Sequence, residues 1–190
     1  RLAFPIGDMN KDEVRALAEE AGISVAHKAD SQDICFVPDG DYRGVLTSFY
    51  GTPPEKGKFI YEDGRVIGTH NGIWGYTVGQ RKGLGIAWEH PLYVLGKDVE
   101  KNTVLVGRSE SLFSDTLTAS DVVYCSEEMP DTFRCEAKVR YSHGGSMCTV
   151  TKKGENQVKV LFDTPQRAIT RGQSVVFYDG DTVIGGGYID

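Results

Sequence analysis

The sequence predicts a mainly β protein in which two short helices precede a small central β unit and a small β-barrel. Three features carry this reading. Apolar residues recur at helical spacing only before about residue 50, and beyond Lys58 they alternate with polar ones in short runs. Turn dipeptides separate those runs. Breaks near Pro53-Pro54 and from Ser111 to Ser114 divide the chain. At 190 residues there is enough chain for one large or two small domains to bury a core without metal or disulfide staples.

Asn10 followed by Glu13 has the spacing of a capping box, in which each side chain satisfies a free N–H of the first turn. Val14, Leu17, Ala18 and Ala21 then share one helical face until Gly22 ends the run. A second helix is expected from Tyr42, with Val45, Leu46 and Phe49 on its apolar side and "YGTPP" as its terminator. "KFIYEDGRVIG" reads as a hairpin about Asp63-Gly64, and "PLYVLGKDVEKNTVLVG" as another turning near Lys101-Asn102. In "FRCEAKVRY" alternation puts Phe133, Cys135, Ala137, Val139 and Tyr141 on one face, and Arg134, Glu136, Lys138 and Arg140 on the other. "NQVKVLFD" and the two runs of "QSVVFYDGDTVIGGGYID", joined at Asp179-Gly180, complete a set of short strands spaced as in a small barrel.

No stretch approaches the roughly 18 uninterrupted apolar residues of a spanning helix, and "RLAFPIGDMNKDEV" lacks the apolar middle of a signal peptide. The expected location is cytoplasmic, with no membrane partner. The chain starts in mid-pattern without methionine and is expected to be a piece of a longer protein. Cys35, Cys125, Cys135 and Cys148 contain no C-x-x-C pair and no histidine at zinc-finger distance, so no metal site is expected. The last three sit in or beside apolar strand patterns and read as small buried hydrophobes. Twenty-one Lys and Arg against 27 Asp and Glu leave a charge of −6, which on its total argues against a nucleic-acid binder. The distribution argues differently. Residues 1–63 hold seven basic and twelve acidic side chains, whereas Arg134 to Lys153 holds five Lys or Arg and one Glu. A local basic surface fits that pattern.

Three stretches carry chemistry. In "KADSQDICFVPDGDY", Ile34, Phe36 and Val37 around Cys35 would suit a core strand, and the flanking loop residues would suit a working thiol. Asp30, Asp33, Asp39 and Asp41, if close, would raise the thiol pKa and suppress a thiolate nucleophile. That objection is weaker for a cysteine persulfide, whose terminal S–SH is more acidic, and Lys28 or a group outside the chain would supply the compensating cation. Next, "GTHNGIWGYTVGQRKGLGIAW" combines glycines, the pair Arg81-Lys82, and Trp74, Tyr76 and Trp88. Close backbone approach, phosphate-binding cations and stacking surfaces are the parts of a nucleic-acid contact, while a tight hairpin with a small aromatic core uses the same residues. Its "GQRKG" is neither a Walker loop nor a dinucleotide fingerprint. Third, Arg140-Tyr141 ends a strand before "SHGGSM", by itself a weak signal.

Together, "FPIGDMNKDEVRALAEEAGI", "DSQDICFV", "GTHNGIWGYTVGQRKGLGI", "AKVRY" and "GQSVVFYDGDTVIGGGYI" resemble, in order and spacing, the bacterial and organellar tRNA-specific 2-thiouridylases. The resemblance implies that residues 1–53 are the tail of a truncated α/β nucleotide-binding domain with its catalytic cysteine loop. It makes residues 54–114 a central domain and residues 115–190 a barrel similar to those of elongation factors. It further implies sulfur transfer to C2 of the wobble uridine of tRNA. ATP with Mg would activate the C2 oxygen, and persulfide sulfur would come from a donor protein. Cys35 matches the persulfide-bearing cysteine, and Arg140, Tyr141 and Gln173 match tRNA-contacting positions in the barrel. Arg81 and Lys82 are added as tRNA contacts on physical grounds. The S-G-G-x-D-S loop that binds ATP in the family is not in these 190 residues. Two positions depart from the family: Ser142-His143 follows Arg-Tyr where another arginine is frequent, and Arg171 replaces the usual proline before Gly-Gln. The competing readings are a tRNA-binding module whose sulfur chemistry needs another part, and a thiol redox protein, which lacks a resolving cysteine near Cys35.

Overall fold

The computed structural model describes residues 3–28, 37, 42–51, 55–126, 128–142 and 144–190. The chain divides into a unit of residues 1–46 and a unit of residues 47–190. In the first, α1 (Lys11–Glu20) starts with the expected box: Asn10 Oδ1 accepts from the N–H of Asp12 and of Glu13 at 3.1 Å, and the Asn10 N–H donates to Glu13 Oε2 at 2.7 Å. Gly22 stops it in the left-handed region, at φ +69°. The second helix, α2 (Tyr42–Tyr50), begins where the pattern places it, although Phe49 is exposed rather than part of an apolar face.

In the second unit, β1 (Gly57–Tyr61), β2 (Val66–His70), β3 (Tyr93–Asp98) and β4 (Thr103–Gly107) form one sheet in the order β2-β1-β4-β3. Both hairpins match the sequence reading. What joins them is parallel pairing of β1 with β4, Lys58 to Tyr61 opposite Thr103 to Val106. Alternate residues of these strands, Phe59, Val94, Val104 and Val106, are fully buried. The segment between β2 and β3 is not a hairpin. A single 3₁₀ turn at Ile73–Gly75 leads into turns without strands, and Ile73, Tyr76 and Leu84 cover the sheet's core.

Six antiparallel strands close the barrel: β5 (Phe113–Tyr124), β6 (Thr132–Lys138), β7 (Ser146–Lys152), β8 (Val158–Arg167), β9 (Ser174–Asp179) and β10 (Thr182–Ile189), in the order β10-β5-β8-β7-β6-β9. Ala137, Cys148, Val150, Val160, Val175 and Phe177 point inward with essentially no exposure. Burying each valine-sized side chain contributes roughly 1.5–3 kcal/mol. Three glycines in β10 let it lie close between β5 and β9. A Cβ at Gly186 would come 2.7 Å from the Val175 carbonyl oxygen, and one at Gly187 2.7 Å from that of Ser120. The protein is therefore mainly β, with a small sheet and a closed barrel after the helices.

Two expectations are corrected. β6 ends at Lys138, where its pairing with β9 ends, and the chain then turns out of the ladder. Val139 is still buried, but Tyr141 does not share its face: its side chain is 105% exposed. Cys125, read as a buried hydrophobe, is exposed because it lies one residue beyond the end of β5; Cys135 and Cys148 are buried as expected. No helix among the described residues is long and apolar enough to cross a membrane.

Candidate nucleic-acid interface

Lys138 is the last residue of β6, and it pairs with Val176 of β9. Beyond it, Arg140 lies in a bend and Tyr141 in the turn that follows. Gly172, at φ +81°, turns the chain into β9, and its N–H donates to the Ile189 carbonyl at 2.8 Å. Gln173 is held by its backbone on both sides: its N–H donates to the Thr170 carbonyl at 3.2 Å and its carbonyl accepts from the Ile189 N–H at 2.8 Å. Its side chain is exposed. These two chain ends enclose a groove of about 600 Å³ lined by Lys138, Arg140, Tyr141, Gln173 and Tyr178. The three barrel residues singled out from the sequence thus meet in one place.

The chemistry of the groove is cationic and aromatic. Arg140 is half-buried, with Nη1 donating to the Arg167 carbonyl at 2.9 Å. Lys138 Nζ lies 4.9 Å from the centre of the Tyr178 ring, a cation–π distance. Tyr141 presents a free ring to solvent. Cations for phosphate and open rings for bases are what an RNA strand requires. Sequence reasoning missed Lys138 and Tyr178; the signal for them was their outward register on β6 and β9.

The basic run from Arg134 to Lys153 does not act as one patch. Arg134 makes a two-pronged pair with Asp163, Nη1 to Oδ1 and Nη2 to Oδ2 both at 2.6 Å, which holds the Asp163 carboxyl below its usual pKa. Lys152 Nζ donates to the Met129 carbonyl and sits 5.3 Å from the centre of the Tyr124 ring.

Arg81 and Lys82 are exposed on a turn stitched by Gln80, whose Oε1 accepts from the Thr77 N–H and whose Nε2 donates to the Lys82 carbonyl, both at 3.0 Å. Arg81 lines a different groove, shared with Trp88 and His90, and none of its lining residues lines the Arg140 groove. The aromatics of this stretch divide between the two readings. Tyr76 is buried, Trp88 packs on the Tyr61 ring at 5.3 Å, and Trp74 is exposed.

Cys35, with Asp30, Asp33, Asp39 and Asp41, lies outside the described residues. Among the described residues no cluster of His, Cys, Asp and Glu is disposed to hold a metal ion. They do not fit ATP either. Gly79, Gly83 and Gly85 lie in turns that lead to β3 and not to a helix N-terminus, and the N-terminus of α1 is satisfied by its own cap.

Three family models match successive parts of the chain: a tRNA methyl transferase HUP domain over residues 1–39, a tRNA methyl transferase PRC-barrel domain over 48–108, and an aminomethyltransferase β-barrel domain over 114–189. The second model covers the small sheet and the third the closed barrel, so the class is set by the succession of HUP, PRC-barrel and β-barrel domains. Among curated relatives, tRNA-specific 2-thiouridylase MnmA of Geobacter metallireducens is 47% identical over 190 residues, covering all of this chain and 52% of the relative. Proteins of the same name from Lachnoclostridium phytofermentans and Acetivibrio thermocellus are 46% and 47% identical, over 100% and 99% of this chain and 53% of each relative. The chain belongs to the tRNA-specific 2-thiouridylase family. It spans about half the length of the curated relatives it matches.

Proposed function

We propose that this chain supplies the sulfur-carrying cysteine and an RNA-docking surface of a tRNA-uridine 2-sulfurtransferase. The observation that carries the reading is the meeting of Arg140, Tyr141 and Gln173 in one groove, in a chain similar over its whole length to proteins named 2-thiouridylases. Arg140 and Lys138 neutralise phosphates, Tyr141 stacks on a base, and Gln173 offers an amide donor and acceptor. Arg81 and Lys82 extend the RNA contact on the central sheet. Cys35 carries a persulfide charged by a donor protein, and its terminal sulfur attacks C2 of the wobble uridine, the new C–S bond replacing the C–O bond of the activated C2 oxygen, which leaves with its activating group. The S–S bond to Cys35 is then broken by a second thiol outside this chain, leaving sulfur on the base and a disulfide on the protein. Activation of the C2 oxygen belongs to ATP and Mg bound outside these residues. In this reading residues 1–53, 54–114 and 115–190 act as cysteine-bearing tail, central domain and barrel.

The test is Cys35→Ser in a protein of the relatives' full length. Nucleoside mass spectrometry of its tRNA should find no 2-thiouridine, while tRNA binding stays at the wild-type level; wild-type thiolation overturns the assignment. A second reading, a non-catalytic tRNA-binding module whose sulfur chemistry requires another part or subunit, rests on the same groove, whose lining includes no cysteine. Titrating the 190-residue chain with Mg-ATP separates ligand binding from docking: no heat of binding is expected, and saturable micromolar binding would place nucleotide chemistry in these residues.

A further inference from the structure

We propose that Cys135 and Cys148 are a latent disulfide site at the base of the loop that carries Arg140 and Tyr141. The two residues face each other directly in the β6–β7 ladder, with sulfur atoms 3.7 Å apart. Opposed residues of an antiparallel pair have Cα atoms about 4.5–5.5 Å apart, inside the span of about 4.4–6.8 Å that a disulfide bridges. The bond therefore needs side-chain rotation and no movement of the strands. Both cysteines are buried, at 4% and 0% exposure, so the pair is shielded from large thiols and open only to small oxidants or during local opening.

The pair is chemically unequal. Hydrogen bonding from Cys148 lowers the Cys135 pKa, while that same bond and burial push Cys148 up. With a hydroperoxide as oxidant, the Cys135 sulfur attacks the terminal peroxide oxygen. The O–O bond breaks, the alcohol or water leaves, and Cys135 becomes a sulfenic acid. The Cys148 sulfur then attacks the Cys135 sulfur; the S–S bond forms, the S–O bond breaks, and hydroxide departs with the Cys148 proton as water. Two thiols are oxidised by two electrons and one peroxide is reduced.

The closed loop runs from Cys135 to Cys148, and its tip contains Arg140 and Tyr141. Gly145, at φ +84°, turns the chain into β7 beside the Glu136 side chain, and Ser146 next to it pairs with Ala137 of β6. A bond at the base adds a covalent tie to a hairpin already pinned near its end. This inference does not rest on the RNA reading.

The native 190-residue chain, reduced and then exposed to hydrogen peroxide at neutral pH, is alkylated and mapped by mass spectrometry. The expected product has lost two hydrogens, yields a peptide linking Cys135 to Cys148, and reverts with a dithiol reductant. Cys125→Ser should retain it, and Cys135→Ser and Cys148→Ser should each lack it. Oxygen addition without the link, no change, or a link that omits either residue overturns the proposal, and because the wild-type chain is mapped directly, misfolding of a serine variant does not obscure the answer.

Discussion

Arg140 Nη1 donates to the backbone carbonyl of Arg167 at 2.9 Å, tying the turn after β6 to the last residue of β8. A guanidinium has five N–H donors, so this bond fixes its position without using up the group. If the groove meets a phosphate there, Arg140→Ala should weaken tRNA binding. The log–log salt dependence should become shallower by about 0.7 to 0.9 of a unit. Lys11→Ala, on α1, should change neither. Filter binding across a salt series decides, and an unchanged slope for Arg140→Ala would make this strand end a structural edge only.

Tyr141 stands fully in solvent, so its ring contributes nothing to the core. Tyr141→Ala should leave the thermal midpoint unchanged and cost roughly 1–3 kcal/mol of RNA binding through lost stacking, with little effect on the salt slope. Tyr141→Phe should bind as wild type. Loss of affinity in the phenylalanine variant would show that the hydroxyl, not the ring, makes the contact.

Arg134 differs from Arg140 although both belong to the same basic stretch. Its guanidinium is occupied by both Asp163 oxygens. Arg134→Ala is therefore expected to leave tRNA affinity and its salt slope untouched. Asp163→Asn releases the cation and should strengthen nonspecific RNA binding at low salt. A weakened complex for Arg134→Ala in the same salt series would refute this division of the patch.

His70 is 1% exposed and packs against the rings of Phe59 and Tyr76. Its Nδ1 accepts from the Gly72 N–H at 3.2 Å, and burial holds its pKa below the usual value, with the Asn102 carbonyl opposing in part. A base whose folded pKa is lowered stays neutral in the folded state while the unfolded chain takes up a proton below about 6.5. The stability due to this neutral burial is complete above that pH and is lost as pH falls towards the folded pKa. Denaturant titrations from pH 8 to 5 should show the wild type losing more stability than His70→Gln. Parallel pH profiles would locate the acid sensitivity elsewhere.

Much of this architecture was legible because its signals are local. The box of Asn10 and Glu13, the stop at Gly22 and the turns at Gly64, Asn102 and Gly180 depend on residues within one turn of each other, and each appears where expected. Local pattern does not single out β5 or β7. β5 begins with Phe113-Ser114-Asp115-Thr116, too polar for a clear alternation, and becomes a strand because β8 and β10 pair with its two edges. Arg140, Tyr141 and Gln173 are marked by the family likeness, whereas period-two spacing alone puts Tyr141 on the inner face. It faces solvent because β6 loses its partner after Lys138, and a strand without a ladder no longer dictates where the next side chains point.

By itself the sequence determined the helices, the hairpin turns and the inward alternation of most strands, since propensity, capping and period-two patterning act over a few residues. Tertiary structure decided the parallel join of β1 and β4, the exposure of Cys125, and the confrontation of Cys135 with Cys148. It also decided that Lys138, Arg140 and Gln173 share a groove from which Arg134 is withdrawn by Asp163. These outcomes depend on which distant backbone completes each edge's hydrogen bonds and on which cation a carboxylate reaches first. Neither is encoded in the spacing of neighbours along the chain.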